Sequence, residues 1–135
     1  MLITGGCVCG AVRYECTAEP TMMFKCHCRD CQHVSGGAYS PVVYVPKSAF
    51  RLTKGALKRH ETPALRGGTN LRGFCADCGS RLTGGESETG IGLTAGSLDH
   101  PALFKPQFHI HTTDVQPWDI VEPGPTAFTS YPTFD

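Results

Sequence analysis

The sequence predicts a mainly β fold, a small antiparallel β-sheet domain, and three observations carry that expectation. The chain has 135 residues, the size of one ordinary domain. Glycine takes 16 positions and proline 10, which favours turns over long helices. Short apolar or alternating runs recur along the chain, each bounded by Gly, Pro or Asn. Apolar residues make up 40% of the sequence, enough for one core, so residues 1–135 read as one undivided domain.

From Gly10 onward, Val12, Tyr14 and Cys16 alternate with Arg13, Glu15 and Thr17, the period of a strand with one buried face. Met22-Met23-Phe24 then runs into Cys26, and the stretch to Ser35 shows no alternation before Gly36-Gly37, so it reads as a turn with a short helix. Strands are expected at Tyr39 to Val45, Phe50 to Thr53, Leu57 to Glu61, Asn70 to Phe74, Ile91 to Ala95 and Gln107 to Thr112. Beyond Val115, prolines at 117, 123, 125 and 132 deny the chain both helix and central strand. Residues 115–135 are therefore expected to form an extended Pro-rich tail, as a strap or loosely held.

Lys plus Arg and Asp plus Glu both number 12, leaving no net field to draw the chain onto nucleic acid or an anionic membrane. Its start lacks the basic and apolar regions of a signal peptide, and no run of 18 apolar residues occurs. A soluble, cytoplasmic protein with neither nucleic-acid nor membrane partner is the expectation.

The cysteines fall at Cys7 and Cys9, at Cys26, Cys28 and Cys31, and at Cys75 and Cys78, with Cys16 apart on its strand's apolar face. Tight spacing without an export signal reads as metal ligation rather than a disulfide framework. A structural zinc takes four tetrahedral ligands, and short loops that present two thiolates at once limit the entropy of assembling them. Cys7 and Cys9 pair naturally with Cys75 and Cys78, because the middle cluster already supplies three ligands. The expectation is thus a zinc-stabilised antiparallel β-sheet domain.

Cys26, Cys28 and Cys31 remain as an open three-ligand set, the pattern by which zinc enzymes leave space for water or substrate. His27 or His33 could close it, and two disulfides with free thiols is a further alternative. Three thiolates give the site about one net negative charge and blunt its Lewis acidity, which favours a soft fourth ligand such as a substrate thiol over hydrolysis. Cys16 reads as a buried small hydrophobe. His109 and His111 share a face of their expected strand and read as satisfied or partly exposed side chains. Trp118 reads as an anchor of the tail on the core. Gly5-Gly6 and Gly36-Gly37 read as turn glycines beside ligands.

Several ordered motifs resemble the glutathione-dependent formaldehyde-activating enzyme family, which shares its domain with centromere protein V. They are Gly6-Cys7-Val8-Cys9-Gly10-Ala11-Val12-Arg13-Tyr14, Cys26-His27-Cys28-Arg29-Asp30-Cys31 with Ser35-Gly36, and Phe74-Cys75-Ala76-Asp77-Cys78-Gly79-Ser80. Gly96-Ser97-Leu98-Asp99, His109-Ile110 and Pro117-Trp118 continue the likeness, whereas Asp119 stands where the family usually places an apolar or aromatic residue. The resemblance implies a β-tent fold related to the exchange-factor-like zinc fold. It implies a structural zinc on Cys7, Cys9, Cys75 and Cys78, and a catalytic zinc with an open position on Cys26, Cys28 and Cys31. The implied activity joins glutathione, a small-molecule thiol, to formaldehyde as S-hydroxymethylglutathione, a carbon-sulfur lyase reaction read in reverse. Two other readings stay open: a noncatalytic zinc module that binds a protein or chromatin partner, and a thiol redox sensor in which the open trio ejects its metal under oxidant.

Overall fold

A computed structural model of the chain describes residues 1–65 and 67–133. Its strands are β1 (Ile3–Gly6), β2 (Arg13–Cys16), β3 (Met22–Cys26), β4 (Ser40–Pro46), β5 (Phe50–Lys54), β6 (Lys58–Pro63), β7 (Thr69–Phe74), β8 (Arg81–Gly84), β9 (Gly90–Thr94), β10 (Phe108–Ile110) and β11 (Thr126–Ala127). The α-helix α1 (Arg29–Ser35) lies between β3 and β4. The fold is mainly β, as the turn-rich composition predicts. Among the described residues no helix is long and apolar enough to cross a membrane.

Two sheets enclose the core. The smaller runs β1-β2-β5 and the larger β11-β10-β3-β4-β9-β8-β7-β6. In β2 the alternation is realised: Tyr14 and Cys16 are buried, while Arg13 and Glu15 are only half-buried. Ile3, Val12, Tyr14 and Cys16 pack against Val43, Val45, Leu82, Ile91 and Leu93 of the larger sheet. Each such aliphatic side chain removed from water contributes about 1.5–3 kcal/mol. Cys16 sits among them as a small hydrophobe, without a part in either cysteine cluster.

Four strands escape the sequence pattern, the two-residue β11 of the tail among them. β3 is half-buried along four of its five residues because β10 and β4 flank it on both sides, so no clean alternation marks it. β8 is four residues long and holds Arg81 and Gly84. β1 contains Gly5 and Gly6, which are strand residues paired with Tyr14 and Arg13, not the turn glycines expected. At Gly5 a methyl group would lie 2.4 Å from the Tyr14 hydroxyl and 2.5 Å from the Ser97 carbonyl, so the close approach of these backbones requires glycine. Gly36, by contrast, does end α1 in the left-handed conformation.

The larger sheet is mixed rather than purely antiparallel. β10 pairs parallel with both β3 and β11. The chain reaches β10 from β9 through the long segment 95–107, and a connection of that length allows the parallel pairing that a hairpin forbids. β11 pairs with β10 at the sheet edge, and the prolines at 117, 123, 125 and 132 lie outside that strand. The Phe128 amide donates to the His109 carbonyl at 2.8 Å, and its ring meets Phe108 edge-on at 5.7 Å. Phe128 is thus the tail's anchor. Trp118 is not: the turn closed by the Asp119 amide on the Gln116 carbonyl leaves its side chain 67% exposed.

Candidate metal centres and the pocket beside them

Two turns build the first cysteine cluster. After β1, the Cys7 amide donates to the Val12 carbonyl at 3.1 Å and the Gly10 amide to the Cys7 carbonyl at 3.2 Å, with Gly10 in the left-handed region. Between β7 and β8 the Cys75 amide donates to the Ser80 carbonyl at 3.0 Å and the Gly79 amide to the Cys75 carbonyl at 2.9 Å, again with a left-handed glycine. Each turn aims two sulfurs at one point. Cys7 and Cys9 sulfurs lie 3.5 Å apart and Cys9 and Cys75 3.8 Å. The Val12 amide donates to the Cys7 sulfur at 3.2 Å, and the Ser80 hydroxyl lies 3.2 Å from that of Cys78.

The second cluster comes from one continuous stretch. Cys26 ends β3, Cys28 is the N-cap of α1, and Cys31 sits in its first turn, where its amide donates to the Cys28 sulfur at 3.3 Å. Cys26 and Cys31 are buried and Cys28 is half-buried. Hydrogen bonding to Cys26 and Cys28 holds the Cys31 thiol down to about 3, while hydrogen bonding with Cys28 and Cys31 pushes Cys26 up.

Sulfurs bound to one zinc at about 2.3 Å stand about 3.8 Å apart on a tetrahedron. Within each cluster the sulfurs all lie within 4.8 Å of one another. Both donor sets therefore suit a soft or borderline metal such as zinc. Among the described residues the second cluster gains no fourth His, Cys, Asp or Glu donor.

His27 and His33 do not close it. His27 Nε2 faces His109 Nδ1 at 2.9 Å, and His33 is exposed beside Arg29 on the outer face of α1. Burial pushes both His27 and His109 below their ordinary value. His109 and His111 also part company, because the backbone at His111 turns left-handed with φ 56°. His109 faces His27, whereas His111 lines the pocket that holds the open trio.

That pocket has a volume of about 610 Å³, the size that encloses a small organic ligand. Cys26, Cys28 and Cys31 form one part of its wall, and Arg72 and Thr83 of the larger sheet another. Sequence reasoning passed over these sheet residues. Arg72 stood inside an expected strand between Leu71 and Gly73, and a cation at an inward position was the one available signal.

The profile of the glutathione-dependent formaldehyde-activating enzyme family matches residues 2–114. The chain belongs to this family. Both cysteine clusters fall inside the matched segment, while Asp119 and Glu122, which approach His27 and His109, lie beyond it. The family's enzymes are glutathione-dependent and formaldehyde-activating by description. The fold is shared with a crystal structure of a Rhodobacter sphaeroides protein, at TM-score 0.60 and 18% identity, over 93% of this chain and 99% of that one.

Proposed function

We propose that this protein is a zinc-dependent carbon-sulfur lyase-type enzyme that acts on a small thiol, glutathione being the leading candidate, and on its formaldehyde adduct. The supporting observation is the three-sulfur group with no fourth protein donor among the described residues, set in the wall of a ligand-sized pocket. In this reading Cys7, Cys9, Cys75 and Cys78 hold a structural zinc, and Cys26, Cys28 and Cys31 hold a catalytic one. Zinc held by three thiolates supplies a soft Lewis acid that favours the ionised form of a substrate thiol at neutral pH.

The chain's own residues do the remainder. Cys26, Cys28 and Cys31 line the pocket, which gives a substrate sulfur access to their group. The substrate sulfur attacks the formaldehyde carbon, a carbon-sulfur bond forms, the carbonyl π bond breaks, and the thiol proton ends on the new hydroxyl. The reverse sequence releases both reactants. Membership of a family described as glutathione-dependent and formaldehyde-activating supports this choice of partners.

The test combines zinc per chain with formation of S-hydroxymethylglutathione, followed by NMR of labelled formaldehyde. Cys28→Ser is expected to lose one of two zincs and the accelerated adduct formation while keeping a cooperative melt. Two zincs retained with unchanged catalysis would sink the proposal. Loss of the whole fold would instead assign both clusters a structural role, as in a noncatalytic module.

A further inference from the structure

The larger sheet brings two guanidinium groups to the pocket that contains the open cysteine trio. Arg72 lies on β7 and Arg81 on β8, which are neighbouring strands, and both line the pocket together with Thr83. Arg72 is 6% exposed, and its Nη1 donates to a neutral hydroxyl, Thr62 Oγ1, at 2.6 Å. Arg81 is stacked against the Phe74 ring with its guanidinium carbon 5.1 Å from the centroid. Among the described residues neither cation has a carboxylate within ion-pair distance, and Arg81 Nη1 and Thr83 Oγ1 are buried without hydrogen-bond partners.

The buried Arg72 and the half-buried Arg81 repel each other, and a protein interior pairs such charges whenever a partner is at hand. Here the carboxylate of Glu86, which also lines the pocket, is taken by Lys47 at 2.8 Å and Arg59 at 3.0 Å. Among the described residues the cysteine trio supplies part of the counter-charge, Arg72 helping to hold the Cys31 thiol down, but no carboxylate pairs with either guanidinium, which leaves that place to a carboxylate of a ligand. Planar guanidinium forks match carboxylate oxygens in pairs, and an adjacent hydroxyl supplies a further donor.

We infer that Arg72 and Arg81, with Thr83, form an anion subsite that binds a carboxylate of the substrate and selects carboxylate-bearing thiols over neutral ones. The inference rests on the thiol reading of the same pocket and adds to it the residues that set specificity. Arg72 and Arg81 bind and position; they have no part in the bond-making step.

The test uses calorimetric titration of the zinc-loaded protein with three probes: glutathione, S-methylglutathione, which has the carboxylates but no thiol, and the diethyl ester of S-methylglutathione. S-methylglutathione is expected to bind wild type and to bind Arg81→Met about ten- to a hundredfold more weakly, with Arg81→Lys between them. The diester is expected to bind wild type weakly and to lose nothing further in Arg81→Met, a pattern that a merely structural arginine does not produce. Equal binding of S-methylglutathione and its diester to wild type overturns the inference without any variant, and so does failure of S-methylglutathione to bind. Cys28→Ser separates the two proposals. If glutathione binds no better than S-methylglutathione and neither responds to Cys28→Ser, the thiol reading fails while the acid-against-ester contrast still upholds the anion subsite.

Discussion

The rings of His27 and His109 meet nitrogen to nitrogen at 2.9 Å inside the protein, so one proton serves both. His27 Nδ1 in turn faces Asp119 Oδ2 at 3.6 Å. At the pair's other end His109 Nε2 faces Glu122 Oε1 at 3.7 Å, so each ring turns its outer nitrogen to a carboxylate and its inner nitrogen to the other ring. His27 is thereby committed to the tail side of β3 and turned away from the sulfurs that precede and follow it.

The pair should resist acid. Burial lowers the pKa of both rings beneath their ordinary 6.5, so the unfolded chain binds more protons than the folded one once the pH drops through that value. Stability is fully present above pH 6.5 and declines as the pH falls from there toward the folded-state values. Ring-proton NMR should show the His27 and His109 signals still untitrated as the pH passes through 6.5; titration of either ring at or above that value would contradict the buried pair.

Replacing His109 by Phe strands His27 Nε2 without its partner. A buried polar group left unpaired costs about 1–3 kcal/mol, and urea melts should show a loss of that order. An unchanged midpoint would mean that the contact contributes nothing.

Gly5→Ala is expected to destabilise the small sheet. The added carbon collides with the Ser97 carbonyl, which is backbone and cannot swing aside, and with the Tyr14 hydroxyl that bonds Ser97 Oγ at 2.6 Å. Overpacking of this kind costs about 1–3 kcal/mol. Gly37→Ala, where the nearest neighbour is 3.9 Å away, is the control and should melt near wild type.

Arg13 and Asp99 join the small sheet to the segment after β9, with Arg13 Nη1 donating to Asp99 Oδ1 at 2.9 Å. Hydrogen bonds from Arg13 and then Thr4 hold the Asp99 carboxyl down to about 2, against an ordinary 3.8. A depressed carboxylate stabilises the fold above pH 3.8 and loses that contribution as the pH falls through about 2. Both side chains are about a third exposed, so solvent screening limits the effect to below about 1 kcal/mol. Asp99→Asn should lower the melting temperature slightly at pH 6 and make a shrinking difference as the pH falls toward and below 2.

Metal removal should distinguish the clusters. Cys7 and Cys9 follow β1 while Cys75 and Cys78 sit between β7 and β8, so that cluster ties the two sheets together across the chain. Cys26, Cys28 and Cys31 close only a local turn. Cys75→Ser is therefore expected to lower the melting temperature far more than Cys28→Ser, measured on samples matched for zinc content.

Local sequence determined the features that need few residues to specify. The alternation around Tyr14 makes β2, Gly36 ends α1, and cysteines one or two residues apart converge because a single turn of backbone carries them there. Even the grouping of Cys7 and Cys9 with Cys75 and Cys78 follows from counting ligands. What tertiary structure alone decided is where distant segments meet. β10 runs parallel to β3, His27 Nε2 meets a ring 82 residues away, Phe128 rather than Trp118 pins the tail, and two arginines share a pocket wall with three thiols. Such outcomes turn on strand register and on burial summed over the whole core, and neither quantity is carried by any short window of the chain.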